Sequence, residues 1–186
     1  LGDYCIVVAN CNKPHNLVES KYNVRRHEVE TALKAINEIK PVPCLAALSP
    51  KEFNEVKYVL SGVVSKRAEH VVMECQRVQD AVKALKAGDL VELGRLLNES
   101  HYSLRDLYEV TGKELDTLSA LARKETGCLG SRMIGAGFGG CTISIVKKNA
   151  VEGFIRRVGK AYFDAIGYRA SFYETSIEDG ITVQKL

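Results

Sequence analysis

The chain has 186 residues, 46% of them hydrophobic and 26% charged, which suits one globular domain with a core of its own. A formal net charge of +3, with no block of five like charges, argues against a nucleic-acid partner. No apolar run nears the roughly 20 residues of a membrane-spanning helix, so no membrane partner is expected.

In chain order, "DYCIVVAN" (Asp3–Asn10) is β-branched and nearly continuously apolar, and predicts a strand buried on both faces. A polar connector, "CNKPHNLVES", follows. Val29, Ala32, Leu33 and Ile36 then fall at helical spacing, and Pro41 and Pro43 break the pattern. Ser49-Pro50-Lys51-Glu52 reads as a capping box with proline at the first helical position.

From about Ser65 to Ala87 a long helix is predicted by the stripe Ala68, Val71, Val72, Cys75, Val78, Ala81, Val82 and Leu85. Gly88 ends it, and Asp89 with Glu92 caps the next, which carries Leu90, Leu93, Leu96 and Leu97. Thr111 and Glu114 are expected to start a helix through Leu115, Leu118 and Leu121. The period then changes to two, so "CLGSRMI" and "CTISIV" predict strands on either side of a glycine-rich loop. Val151, Phe154, Ile155, Val158, Tyr162 and Ala165 form another helix, and "ASFYETSI" with "ITVQKL" predicts a closing hairpin. The order of elements is an elaborated β-α-β-β-α-β arrangement, an α+β fold with helices on one face of an antiparallel sheet.

The six cysteines include no CxxC pair, and no histidine stands at zinc-ligand spacing from them or from another histidine. They read as reduced, mostly buried thiols of a cytosolic protein. Ser100, His101, Ser103 and Asp106 include triad residue types, but neighbouring helical positions point in different directions and no nucleophile elbow accompanies them. His101 and Arg105 read instead as bracing groups between helix and sheet, and Arg25 and Arg26 as ion-pair partners of Glu28 and Glu30.

The central puzzle is "SRMIGAGFGGCTIS" (Ser131–Ser144). Gly135, Gly137 and Gly140 satisfy G-x-G-x-x-G, but that pattern binds a dinucleotide only between a strand and a helix, and here a second strand follows. The Walker A pattern fails as well, since no Lys-Ser/Thr follows the last glycine. Two readings stay open: a hairpin connection with glycine at its special positions, or a backbone that must approach a ligand or a second loop closely.

"GSRMIGAGFGGCTISIV" (Gly130–Val146) resembles the third signature motif of the GHMP kinases, the small-molecule kinases that include galactokinase, homoserine kinase, mevalonate kinase and phosphomevalonate kinase. "SKYNVRRHEVE" (Ser20–Glu30) and "ESHYSLRDLYEVTGKELDTL" (Glu99–Leu118) are similar to stretches of the galactokinase branch, and the likeness runs over essentially the whole chain. The resemblance implies that residues 1–186 form the ferredoxin-like C-terminal domain of that family, with extra helices inserted. It implies transfer of the ATP γ-phosphoryl group, with Mg2+, to the C1 hydroxyl of α-D-galactose in the cytoplasm. Neither a "GLSSSA"-like phosphate loop nor a G-E-H-x-D-Y sugar motif occurs here, and position 1 is leucine. The expectation is therefore a C-terminal half that is inactive alone, lacks the catalytic aspartate and arginine, and self-associates where the N-terminal half would cover it.

Residue by residue, the resemblance implies that Tyr22 hydrogen-bonds the sugar. Gly135, Ala136, Gly137, Phe138, Gly139 and Gly140 would form a site wall lying against the phosphate loop. Val29 and Ile134 depart from the family pattern, the first at a packing position and the second beside the loop. Two other readings are compatible with the same motifs: a non-catalytic sensor of sugar and ATP, and a kinase acting on N-acetylgalactosamine.

Overall fold

The computed structural model describes residues 1–14 and 18–175. Four strands, β1 (Tyr4–Asn10), β2 (Cys128–Ile134), β3 (Cys141–Lys147) and β4 (Ser171–Thr175), form one sheet in the order β2-β3-β1-β4. All three pairings are antiparallel, and the central one runs from Tyr4 opposite Lys147 to Asn10 opposite Cys141. Six α-helices accompany the sheet among the described residues: α1 (Val18–Asn37), α2 (Pro50–Val56), α3 (Gly62–Ala87), α4 (Leu90–Ser103), α5 (Lys113–Lys124) and α6 (Val151–Ile166).

The main core follows from two periodicities meeting. Cys5, Val7 and Ala9 share one face of β1, beside Met133 of β2 and Val146 of β3. Leu115, Leu118 and Ala122 of α5 and Phe154, Val158 and Tyr162 of α6 close over that face. Each large side chain fully buried there contributes about 1.5–3 kcal/mol. The Tyr162 hydroxyl would be an orphan in this core, but it donates to the Cys11 carbonyl at 2.8 Å. On the opposite face Ile145 is buried beneath Leu93 and Leu96, while Ile6 and Val8 are half-buried and Tyr173 is exposed. Strand β1 is thus buried on one face, not two, because no helix of the α5–α6 layer covers the other.

Helices α1, α2 and α3 build a second core from Ala32, Ile36, Leu45, Leu48, Phe53, Val56, Ala68 and Val72. Val29 packs against it, so its departure from the family pattern falls on packing. The cap signals act as read: Ser49 and Glu52 form a capping box, Gly88 ends α3 at φ 70°, and the Asp89 side chain accepts from the Glu92 amide.

Four further expectations need correction. Helix α1 starts at Val18, inside the stretch read as a connector. Gly112, not Thr111, precedes α5, and Thr111 is buried in the turn before it. Only Cys5 and Cys11 of the six free thiols are fully buried, and Cys44 is exposed. Arg105 turns outward to Asp106 and braces nothing against the sheet. The second strand of the expected closing hairpin, "ITVQKL", lies outside the described residues.

Helix α4 lies along the free edge of β2, which would otherwise present unpaired backbone groups. Gly94, Asn98 and His101 are spaced along one face of α4 toward that edge. A Cβ on Gly94 would stand 2.4 Å from the Leu129 carbonyl oxygen, so only glycine admits this approach. Asn98 Oδ1 accepts the Ser131 amide at 2.9 Å, and His101 Nδ1 accepts the Met133 amide at 3.1 Å. Accepting at Nδ1 fixes the neutral ring with its proton on Nε2, which faces Asp116 Oδ1 at 3.2 Å. The edge of β2 is in this way held up to the residue before Ile134, where the glycine loop begins.

Candidate functional site

The loop from Gly135 to Gly140 joins β2 to β3, so it is a hairpin connection. It is also a close approach of two backbones, and both open readings hold. Positive φ runs through it: Gly135 at 81°, Gly137 at 82°, Phe138 at 61°, Gly139 at 140° and Gly140 at 87°. The Phe138 amide donates to the Val110 carbonyl at 2.6 Å, and a Cβ on Gly137 would sit 2.1 Å from that same oxygen. The Cys11 amide donates to the Gly140 carbonyl at 2.9 Å, and Gly139 rests over the stem of Lys13. Gly137 and Gly139 are buried, whereas Gly135 and Ala136 leave the tip of the loop open. Phe138 is the one residue here with a side chain in the left-handed region, at a cost of about 1–2 kcal/mol. Its amide bond to Val110 and the Lys21 ammonium, 5.2 Å from its ring centroid, hold it there.

Val110 follows a π-helical turn, Leu104–Tyr108, that ends at Glu109 with φ 55°. The carbonyls at such an end have no helical partner. Two arginines supply one: Arg67 donates from Nη1 to the Leu107 carbonyl, and Arg25 donates to those of Tyr108 at 2.6 Å and Glu109 at 3.0 Å. Arg67 is 1% exposed and also pairs with Glu28 at 2.8 Å and Glu109 at 2.9 Å. Burial works against its charge, but the bonds to Glu109 and Glu28 outweigh that and hold the guanidinium above its ordinary range. The Glu109 carboxyl is held below its ordinary range by the bond from Arg67. Burial likewise opposes the charge of Glu114, yet the 2.9 Å bond from Lys13 leads the contacts that hold its carboxyl low.

Tyr22 stands near the start of α1 and is 53% exposed. Its neighbour Lys21 reaches Phe138, and Arg25, one turn on, reaches the turn that carries Val110. The start of α1 and the glycine loop therefore meet at one end of the molecule. The pairs Arg25–Glu28 and Arg26–Glu30 form as read from their spacing. The apparent triad residues separate: Ser100 binds Glu74, His101 binds Met133, Ser103 binds His70 and Asp106 binds Arg105. Arg67 was missed by sequence reasoning. Its signal was a charged residue on the flank of the α3 apolar stripe, adjoining Ala68 and followed at three-residue spacing by His70.

The order of elements and the glycine loop are similar to those of the C-terminal part of GHMP kinases. Residues 81–165 match the family model for "GHMP kinases C terminal". The chain is similar, over nearly its whole length, to the C-terminal part of galactokinases. It is 52% identical to galactokinase of Clostridium beijerinckii over 97% of this chain and 46% of that one. With galactokinase of Lactobacillus helveticus it is 50% identical, over 97% and 47%. The crystal structure of Lactococcus lactis galactokinase complexed with galactose superposes with a TM-score of 0.93, at 47% identity, over 96% of this chain and 46% of that one. L. major mevalonate kinase in complex with R-mevalonate, at 17% identity and a TM-score of 0.56, shares the fold. The chain thus spans about half the length of the curated relatives it matches.

Proposed function

We propose that residues 1–186 are the C-terminal domain of a galactokinase and form one wall of a site that phosphorylates α-D-galactose at C1. The observation that carries this reading is the seating of the glycine loop on Val110 with the start of α1 drawn against it, in a chain about half identical to galactokinases. Tyr22 is the sugar contact: its phenol can hydrogen-bond a hydroxyl of galactose and so orient the ring. Gly135, Ala136, Gly137, Phe138, Gly139 and Gly140 are the wall, and the open tip at Gly135 and Ala136 is the part that meets the phosphate-binding half.

ATP supplies the γ-phosphoryl group when bound, and in such transfers catalysis rests on positioning and charge stabilisation. This chain contributes positioning. Its loop has no side chain between the backbone and a neighbour except Ala136 and Phe138, so a second loop can lie directly against it. Glu109, at the turn behind the loop, and Glu114, at the start of α5, are already paired with Arg67 and Lys13, so neither is assigned to Mg2+. The catalytic aspartate and arginine belong to the N-terminal half, which would also cover the open sheet face around Ile6 and Val8. Free thiols accord with a cytoplasmic setting.

The test is kinetic. Joined to the N-terminal part of the Lactococcus lactis enzyme, the chain is expected to make an active kinase in which Tyr22→Phe raises KM for galactose about tenfold and leaves KM for ATP unchanged. Equal KM values for galactose in the two proteins would remove Tyr22 from the site.

A further inference from the structure

We propose that Arg67 is a positioning residue of this site, locking the turn at residues 107–110 so that the glycine loop and the Tyr22 end of α1 keep one fixed relation. The inference rests on the reading of the site given above and extends it to a side chain of α3 that is bonded to neither Tyr22 nor the glycine loop. Arg67 sends its donors to three places: Nε to Glu28 of α1, Nη1 to the Leu107 carbonyl and Nη2 to Glu109. Glu28 is shared with Arg25, which donates to it at 3.1 Å and to the next two carbonyls of the turn. The carbonyl after those, on Val110, receives the Phe138 amide of the loop. Every step from α3 through α1 and the turn to the loop is therefore a direct hydrogen bond.

A buried charge of this kind is a poor device for stability alone, since removing it from water offsets most of what pairing returns. It is a good device for geometry. The planar guanidinium fixes three acceptors at set angles, which a lysine ammonium cannot do.

The test uses Arg67→Lys in the 186-residue chain, followed by hydrogen exchange. The Phe138 amide is expected to exchange about tenfold faster than in the parent after correction for the change at core amides such as that of Val146. Exchange at Phe138 that only keeps pace with the core would show a merely structural role and overturn the proposal. If Arg67→Lys does not fold, Glu109→Gln, which removes one half-exposed partner, decides by the same comparison.

A second readout is kinetic, in the fused enzyme described above. Arg67→Lys is expected to raise KM for galactose about tenfold, whereas Val72→Ala, a cavity in the same helix, leaves it unchanged. A rise no larger than that of Val72→Ala also overturns the proposal. A parent fusion without activity would instead count against the site reading, with the exchange measurement still deciding the coupling.

Discussion

Gly135 and Gly137 have nearly the same φ, 81° and 82°, but very different surroundings. Nothing lies within 4 Å of a Cβ at 135, whereas one at 137 meets the Val110 carbonyl at 2.1 Å. Gly135→Ala should therefore cost only left-handed strain, about 1 kcal/mol, and Gly137→Ala about 3 kcal/mol or more once the backbone clash is added. Urea midpoints at equal m values measure the difference, and equal losses would contradict the account of the loop. His70 gives a second prediction at this scale. It is buried in stacking contact with Tyr108, bonded to Ser103 at 2.8 Å, and faced by Glu74, Arg77, Arg132 and Arg67. Burial, aided by the arginines and opposed by Glu74, pushes its pKa down to about 4. The unfolded chain, with an ordinary value near 6.5, binds the proton first, so stability is full above that pH and falls as pH drops toward 4. The loss is a few kcal/mol. His70→Gln should flatten unfolding free energy over that window, and an unchanged slope would show that another group titrates there.

At the scale of elements, α4 serves the sheet as a cover for its edge. Gly94→Ala would force Cβ into the Leu129 carbonyl and separate helix from strand, with a loss of about 3 kcal/mol or more in thermal or urea unfolding. A near-neutral result would mean that the two can part without cost. Much of this layer was legible in the sequence because its signals are local: the strand alternation, the capping box at Ser49, the stop at Gly88, and the refusal of the dinucleotide reading because a strand follows Gly140. What escaped depends on partners distant in the chain. Gly94 inside a helix looks like a simple propensity penalty until β2 is brought beside it. Arg67 looks like a surface charge until Glu28, Leu107 and Glu109 converge on it. The π-helical turn at 104–108 lies in a stretch that resembles galactokinases, but nothing in its residue spacing predicts a π turn. Tyr22 is proposed as the sugar contact from resemblance alone, since a tyrosine just ahead of a helix more often packs than binds.

For the molecule as a whole, one sheet face is closed by α5 and α6 and the other remains partly open, with Ile6 and Val8 half-buried and Tyr173 exposed. Open apolar surface of this kind favours association. Sedimentation of the 186-residue chain should show a concentration-dependent shift above the monomer, and the N-terminal half of a galactokinase should replace it with a one-to-one complex. A monomer at all concentrations would show that this face needs no cover. On the proposed function, these residues are half of a galactose-phosphorylating site. Formation of galactose 1-phosphate from galactose and ATP tests it most directly, with the chain assayed alone and joined to the N-terminal part of the Lactococcus lactis enzyme. No product is expected from the chain alone, and steady turnover is expected from the joined protein. Product from the chain alone, or a folded joined protein that makes none, would contradict it.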